Sequence, residues 1–171
     1  MTPGEIDAFL QQARCGSLGT IGADGWPYVC PLLFVWAEGK LWFHNTAAEG
    51  HLQANVRHSA RACFEVDVIG EVFAYGRYDC DTSVEYRSVI AFGNVAIEDD
   101  STRKAAFMDR LMEKYHPERL GRPASFYPRL DAITLYSLAI ERMTGKTTPL
   151  PSLDGRWPAT DSTKSPLARP Q

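Results

Sequence analysis

From Ser17 to Glu98 the chain passes through one strand-type segment after another: SLGTIG, PYVCPLLFVW, KLWFHN, RACFEVDV, EVFAYGRY and EYRSVIAFGNVAIE. Branched and aromatic residues dominate these segments. Asp24-Gly25, Glu38-Gly39-Lys40 and Ile69-Gly70 punctuate them as turns, and a longer link runs from Asp79 to Ser83. Five or six consecutive strands without alternating helices indicate an antiparallel barrel. ITLYSLAIERMTGK supplies a last strand, while Pro27 and Pro31 weaken the ladder of theirs and predict an edge or a bulge.

Three helices flank these strands. Thr2-Pro3-Gly4-Glu5 combines a capping hydroxyl, Pro at the first helical position and a Glu three residues after the cap, so residues 3 to 14 are expected to be helical. Asp99-Asp100-Ser101 starts a second pattern, with Phe107, Leu111 and Tyr115 spaced by four, which His116-Pro117 stops. Between them, Ala47 to Arg57 carries Leu52 and Val56 four apart, and Thr46-Ala47-Ala48-Glu49 matches a capping box.

At 171 residues, 44% of them apolar, the chain is long enough to bury one core without disulfide or metal support. Residues 1–146 form the expected domain, and 147–171, rich in Pro, Ser and Thr, a tail with only Trp157 and Leu167 to anchor it. A net charge of -3 and the lack of a dense Lys or Arg run argue against a nucleic-acid partner. No apolar run reaches the length of a membrane span, and MTPGEIDAFLQQAR is acidic where a signal peptide is basic, so a cytoplasmic protein is expected. Cys15, Cys30, Cys63 and Cys80 are widely spaced, without metal-site spacing, and read as reduced, mostly buried thiols.

Chemistry gathers at the end of KLWFHN. Leu41 and Phe43 face one side of that strand, Trp42 and His44 the other, which delivers His44, Asn45 and Thr46 to a strand end just before a helix start. A hydroxyl and an amide beside free backbone N–H groups suit a phosphate, but a capping box alone also explains Thr46 and Glu49. His44 is equally open between a structural histidine and a catalytic acid. His51 and His58, two turns apart, are some 10 Å apart along the helix axis and cannot easily share a metal.

The order and spacing of PYVCPLLFVW, GKLWFHNTAAEGH, LQANVRHSARACFEVD and CDTSVEYRSVIAFGNVAIEDD resemble the pyridoxamine 5'-phosphate oxidase-like superfamily over about residues 5 to 146. Within it, the branch that includes nitroimidazole-resistance (Nim-type) proteins is most similar. The resemblance implies a six-stranded antiparallel split β-barrel that forms a homodimer and binds FMN in clefts at the interface. It assigns the phosphate to the loop carrying Asn45, Thr46, Gly50 and His51. Relatives often carry Lys or Arg after that Gly, where this chain has His51 and Leu52. Arg57, Arg61 or a residue of the second chain would then compensate.

The resemblance further puts the backbone of Pro31, Leu32, Leu33 and Phe34 beside the isoalloxazine, and Ser88 against the flavin edge. Arg87, on the other face of its strand, becomes a phosphate or interface residue, and Lys146 in Met143-Thr144-Gly145-Lys146 reaches the cofactor. The basic ending of true pyridoxamine-phosphate oxidases is missing, so vitamin B6 oxidation is not expected. The implied activity is a flavoprotein oxidoreductase passing electrons from NAD(P)H to a small acceptor, with His44 as its acid. The alternatives are a flavin or haem carrier or sensor, with His44, His51 or His116 on the haem iron, and an enzyme using FAD or the deazaflavin F420.

Overall fold

A computed structural model describes residues 1–75, 81–118, 123 and 126–152. Helix α1 (Pro3–Gln12) precedes the hairpin β1 (Gly16–Ile21) and β2 (Pro27–Leu32), then β3 (Phe34–Ala37) and β4 (Lys40–Thr46). Helix α2 (His51–His58) leads to the long strands β5 (Arg61–Ala74) and β6 (Thr82–Glu98). Helix α3 (Ser101–Tyr115) and a 3-10 turn at Leu130–Ala132 come before β7 (Ile133–Thr148). All pairings are antiparallel, in the order β2-β1-β5-β6-β7-β4-β3.

The strand count corrects the sequence reading. PYVCPLLFVW breaks at Leu33 into two strands, β2 and β3, which lie at opposite edges of the sheet although one residue joins them. A sheet whose two edges are linked by a single residue has to roll up, and the core shows that it does. Leu18 of β1, Phe34 of β3, Phe43 of β4, Phe64 of β5, Val89 of β6 and Tyr136 of β7 share one buried cluster, against which Tyr28, Cys30 and Leu32 of β2 also pack. Phe43 stacks on Tyr136 at 5.4 Å, and Phe34 meets Phe64 edge-on at 5.4 Å. The result is a split barrel, mainly β, with flanking helices.

RACFEVDV and the EVFA that follows are also not separate strands, and the rest of EVFAYGRY beyond Tyr75 lies outside the described residues. Ile69-Gly70 sits within β5, where the pairing with β6 shifts between Ile69 and Val72, so the expected turn is a bulge and the strand continues. The turn at Glu38-Gly39 forms as expected: both residues have positive φ, 57° and 68°, and Ala37 pairs directly with Lys40 across it.

α1 has the anticipated capping box, with the Thr2 N–H donating to Glu5 Oε2 at 2.6 Å and the Glu5 N–H to Thr2 Oγ1 at 3.3 Å. Its Ile6, Phe9 and Leu10 enter the main core. β4 is buried on both faces: Leu41 and Phe43 turn into the barrel, while Trp42 turns outward and joins Phe107 and Leu111 of α3 in a second cluster. The last strand runs to Thr148, two residues past its expected end, and the tail beyond 152, with Trp157 and Leu167, lies outside the described residues.

Candidate functional site

The strand-end loop differs from its expected form. Thr46 is the last residue of β4, and α2 starts four residues later than the capping-box reading requires. Gly50 is the N-cap and makes no side-chain capping bond, so the first-turn N–H groups of α2 have no side-chain cap. Glu49 is turned instead to Arg57, at 2.7 Å with both side chains exposed. Thr46 and Glu49 thus form no capping box. His51 opens the helix with its ring 5.4 Å from that of Tyr28 on β2. Arg57, expected to compensate for the missing cation, is engaged by Glu49, whereas Arg61 lines a cavity of about 350 Å³ with Ile21, Cys63 and Phe92.

His44 and Asn45 diverge, as alternation demands. Asn45 Oδ1 accepts a hydrogen bond from the Tyr136 hydroxyl at 3.1 Å. His44 lies on the α3 side of β4, 5.4 Å from the Phe107 ring, and burial lowers its pKa. Its Nδ1 is buried without a hydrogen-bond partner.

The second group of candidates lies on the outer face of β5, β6 and β7. Ser88 pairs with Asp67 on one side and Lys146 on the other, so the three share one row of that face. The next row holds Glu65, Ile90 and Thr144, and the following one Cys63, Phe92 and Arg142, whose guanidinium lies 4.4 Å above the Phe92 ring. Burial, then the charge of Asp67 and a hydrogen bond to it, raise the pKa of Glu65. Arg87 falls on the opposite face, its guanidinium 5.2 Å from the Phe9 ring. The alternation of Arg87 and Ser88 thus holds.

Pro31 and Leu33 are exposed, Leu32 is half-buried and Phe34 is fully buried. The Phe34 N–H and C=O are both taken by the Tyr115 hydroxyl, at 3.1 and 2.9 Å, so this residue's backbone is committed within the chain. Cys30 and Cys63 are half-buried with pKa raised, first by burial in both; Cys15, contrary to expectation, is exposed, and Cys80 lies outside the described residues. No group of three or more His, Cys, Asp or Glu among the described residues is placed to hold a metal. No described helix is long and apolar enough to cross a membrane.

The two groups lie at opposite ends of β7. Thr46 pairs with Ile133 at the start of β7, and Ser88 pairs with Lys146, thirteen residues further along, which is roughly 40 Å of strand at about 3.3 Å per residue. The acidic residues beside Ser88 escaped sequence reading. Alternation within FEVDV places Glu65 and Asp67 on one face, but the register that sets them beside Ser88 is not written in either segment.

The fold recurs in solved structures. A FAD and heme binding protein from Mycobacterium smegmatis superimposes with a TM-score of 0.74 at 24% identity, over 90% of this chain and 76% of that one. The flavocytochrome Anf3 from Azotobacter vinelandii gives 0.74 at 22% identity, over 90% and 72%. A candidate 5-nitroimidazole antibiotic resistance protein from Bacteroides thetaiotaomicron gives 0.70 at 20%, over 84% and 82%. No curated protein matches. A family model described as pyridoxamine 5'-phosphate oxidase matches residues 2–147, and the chain belongs to that family.

Proposed function

We propose that two copies of this chain bind FMN between them and use it as an oxidoreductase, passing electrons from a nicotinamide donor to a small, partly apolar acceptor. The observation that carries this reading is the separation of the two candidate groups along β7. A phosphate-type site at Thr46, Gly50 and His51 and a polar pair, Ser88 with Lys146, lie at opposite ends of β7, and in this reading one group from each of two copies frames a single mononucleotide.

The residues suit the cofactor. The first-turn N–H groups of α2 lack a side-chain cap, and Thr46 and His51 are exposed beside them, which fits a phosphate. His51 stands where relatives carry Lys or Arg, and its ring can donate an N–H to a phosphate. The outer face offers exposed Val29 and Phe92 for an aromatic ring system, a hydroxyl at Ser88 and a cation at Lys146. When bound, the flavin supplies the electron transfer itself; the protein orients it and excludes water. Asp67 and Glu65 lie next to Ser88, and Glu65, with its raised pKa, holds a proton to higher pH than an ordinary carboxyl there. His44 sits beneath α3, so its part in this reading is packing rather than acid catalysis.

The test is to purify the chain from cells, record its visible spectrum and identify by mass spectrometry whatever denaturation releases. FMN, with NADH or NADPH oxidation by the pure protein, is expected. A colourless protein that also fails to take up added FMN overturns the reading. Thr46→Ala and His51→Ala should each weaken FMN binding about tenfold, the loss of about 1.4 kcal/mol; unchanged affinity removes the phosphate assignment. A second reading draws on the two flavin- and haem-binding structures of similar fold: FAD with haem. His51, exposed at the start of α2, would then be the axial ligand to replace.

A further inference from the structure

A second cleft lies away from the proposed flavin face, between α1, β3 and α3. Its volume is about 620 Å³, within the range of small-molecule sites, and its walls differ in character. Val35, Trp36 and Ala37 of β3 supply an apolar side. Gln11, Gln12 and Arg14 at the end of α1 face Arg110, Glu113 and Lys114 of α3.

Two of the cations are unusual. Arg14 and Lys114 both lie over the ring of Tyr115, at 5.7 and 5.4 Å, and neither has a carboxylate within ion-pair distance among the described residues. Arg110 is paired with Glu38 at 2.8 Å, and Glu113 has an interaction of its own. Of the three donors on the Lys114 ammonium, one goes to the Leu10 carbonyl at 3.1 Å, while the Phe34 ring centre is 3.8 Å away. Holding two like charges over one ring without a counter-ion costs free energy unless something else neutralises them.

We infer that this cleft binds a small amphipathic carboxylate, its anionic group between Arg14 and Lys114 and its apolar body against the half-buried Trp36. Two unneutralised cations match one carboxylate with bidentate reach from Arg14, and the Glu113 carboxyl in the same lining disfavours a dianion. The inference does not depend on the flavin reading, since no residue of this cleft belongs to the phosphate loop or the Ser88 row.

Protonation should be linked to binding. Burial, and after it the charge of Arg14, bring Lys114 down to about 8, so its charge is lost as pH rises through that value. The other titratable or charged groups around the cleft are Asp7 of α1, which accepts from Trp36 Nε1 at 2.6 Å, Arg14 and Cys15 after α1, and Arg110, Glu113 and Tyr115 on α3; β3 contributes none. A bound carboxylate favours the ammonium form, so affinity is expected to fall above pH 8. In Lys114→Arg it should stay level there.

The experiment is calorimetric titration of the full chain at pH 7 with 2-naphthoate, benzoate and inorganic phosphate. Saturable binding of 2-naphthoate, tighter than that of benzoate or phosphate and weakened at least tenfold in both Arg14→Gln and Lys114→Met, is expected. If Lys114→Met does not fold, the exposed Arg14→Gln decides alone. Absence of saturable binding overturns the inference. So does phosphate binding as tightly as naphthoate, unchanged affinity in Arg14→Gln, or competition by added FMN, which would move the naphthoate to the flavin face.

Discussion

His44 shows what a single residue in this chain can and cannot reveal. Alternation in KLWFHN put it on the face of Trp42, and it is there; that Phe107, from a helix 63 residues later in the chain, would cover that face was not legible from the strand. Because burial lowers its pKa, His44 stays neutral in the fold to a lower pH than in the unfolded chain, which takes up a proton below about pH 6.5. The unfolded state therefore binds more protons in that window, and stability contributed by neutral His44 is complete above about pH 6.5 and is lost as pH falls toward the lowered value. Thermal melts between pH 7.5 and 5 should show a decline that His44→Leu flattens; an unaltered slope would show that other groups set it. Thr46 teaches the reverse lesson. Thr46 and Glu49 have the spacing of a capping box, yet β4 keeps the Thr for its ladder with Ile133 and Arg57 draws the Glu away. Tertiary pairing outweighed a local motif worth about 1 kcal/mol.

Among the elements, β3 and β6 carry the sharpest expectations. β3 is an edge strand, and its outward backbone groups are covered from within: the Tyr115 hydroxyl bridges the Phe34 N–H and C=O, and Gln11 Nε2 donates to the Trp36 carbonyl at 3.3 Å. Tyr115→Phe removes both bonds at Phe34 and should cost about 1–3 kcal/mol in denaturant melts. A loss below 0.5 kcal/mol would mean water replaces the hydroxyl. β6 changes register with β7 between Phe92 and Gly93, where a Cβ on Gly93 would run into the Ala139 backbone. Since backbone cannot swing aside as a side chain does, Gly93→Ala should destabilise by about 3 kcal/mol or more, or leave the protein insoluble. The starts of α1 and α3 were legible because their caps are local and form as written, whereas α2 starts four residues beyond its apparent cap. The bulge at Ile69-Gly70 was not, since Gly there reads as a turn until a partner strand is known to continue past it.

At the scale of the whole molecule, the mainly antiparallel barrel was readable from the run of strands, and the strand order was not. Nothing in PYVCPLLFVW says that its two halves part company at Leu33 and close the sheet from opposite edges. Among the described residues nothing covers the outer face, where Val29 is 63% exposed, Ile21 43% and Phe92 37%. A paired protein would cover such residues, and Val29→Glu, at an already exposed position, should leave the fold intact while giving a monomer that no longer retains FMN. Analytical ultracentrifugation with a flavin titration checks this, and a dimer that keeps its flavin would place the interface elsewhere. The two sheet edges set a limit on how such copies can meet. β2 carries Pro27 and Pro31, which have no N–H to offer, and Tyr115 and Gln11 occupy three of the outward backbone groups of β3. Both margins are therefore poor templates for another strand, which favours contact between chains through their faces over edge-to-edge lengthening of the sheet into a fibril.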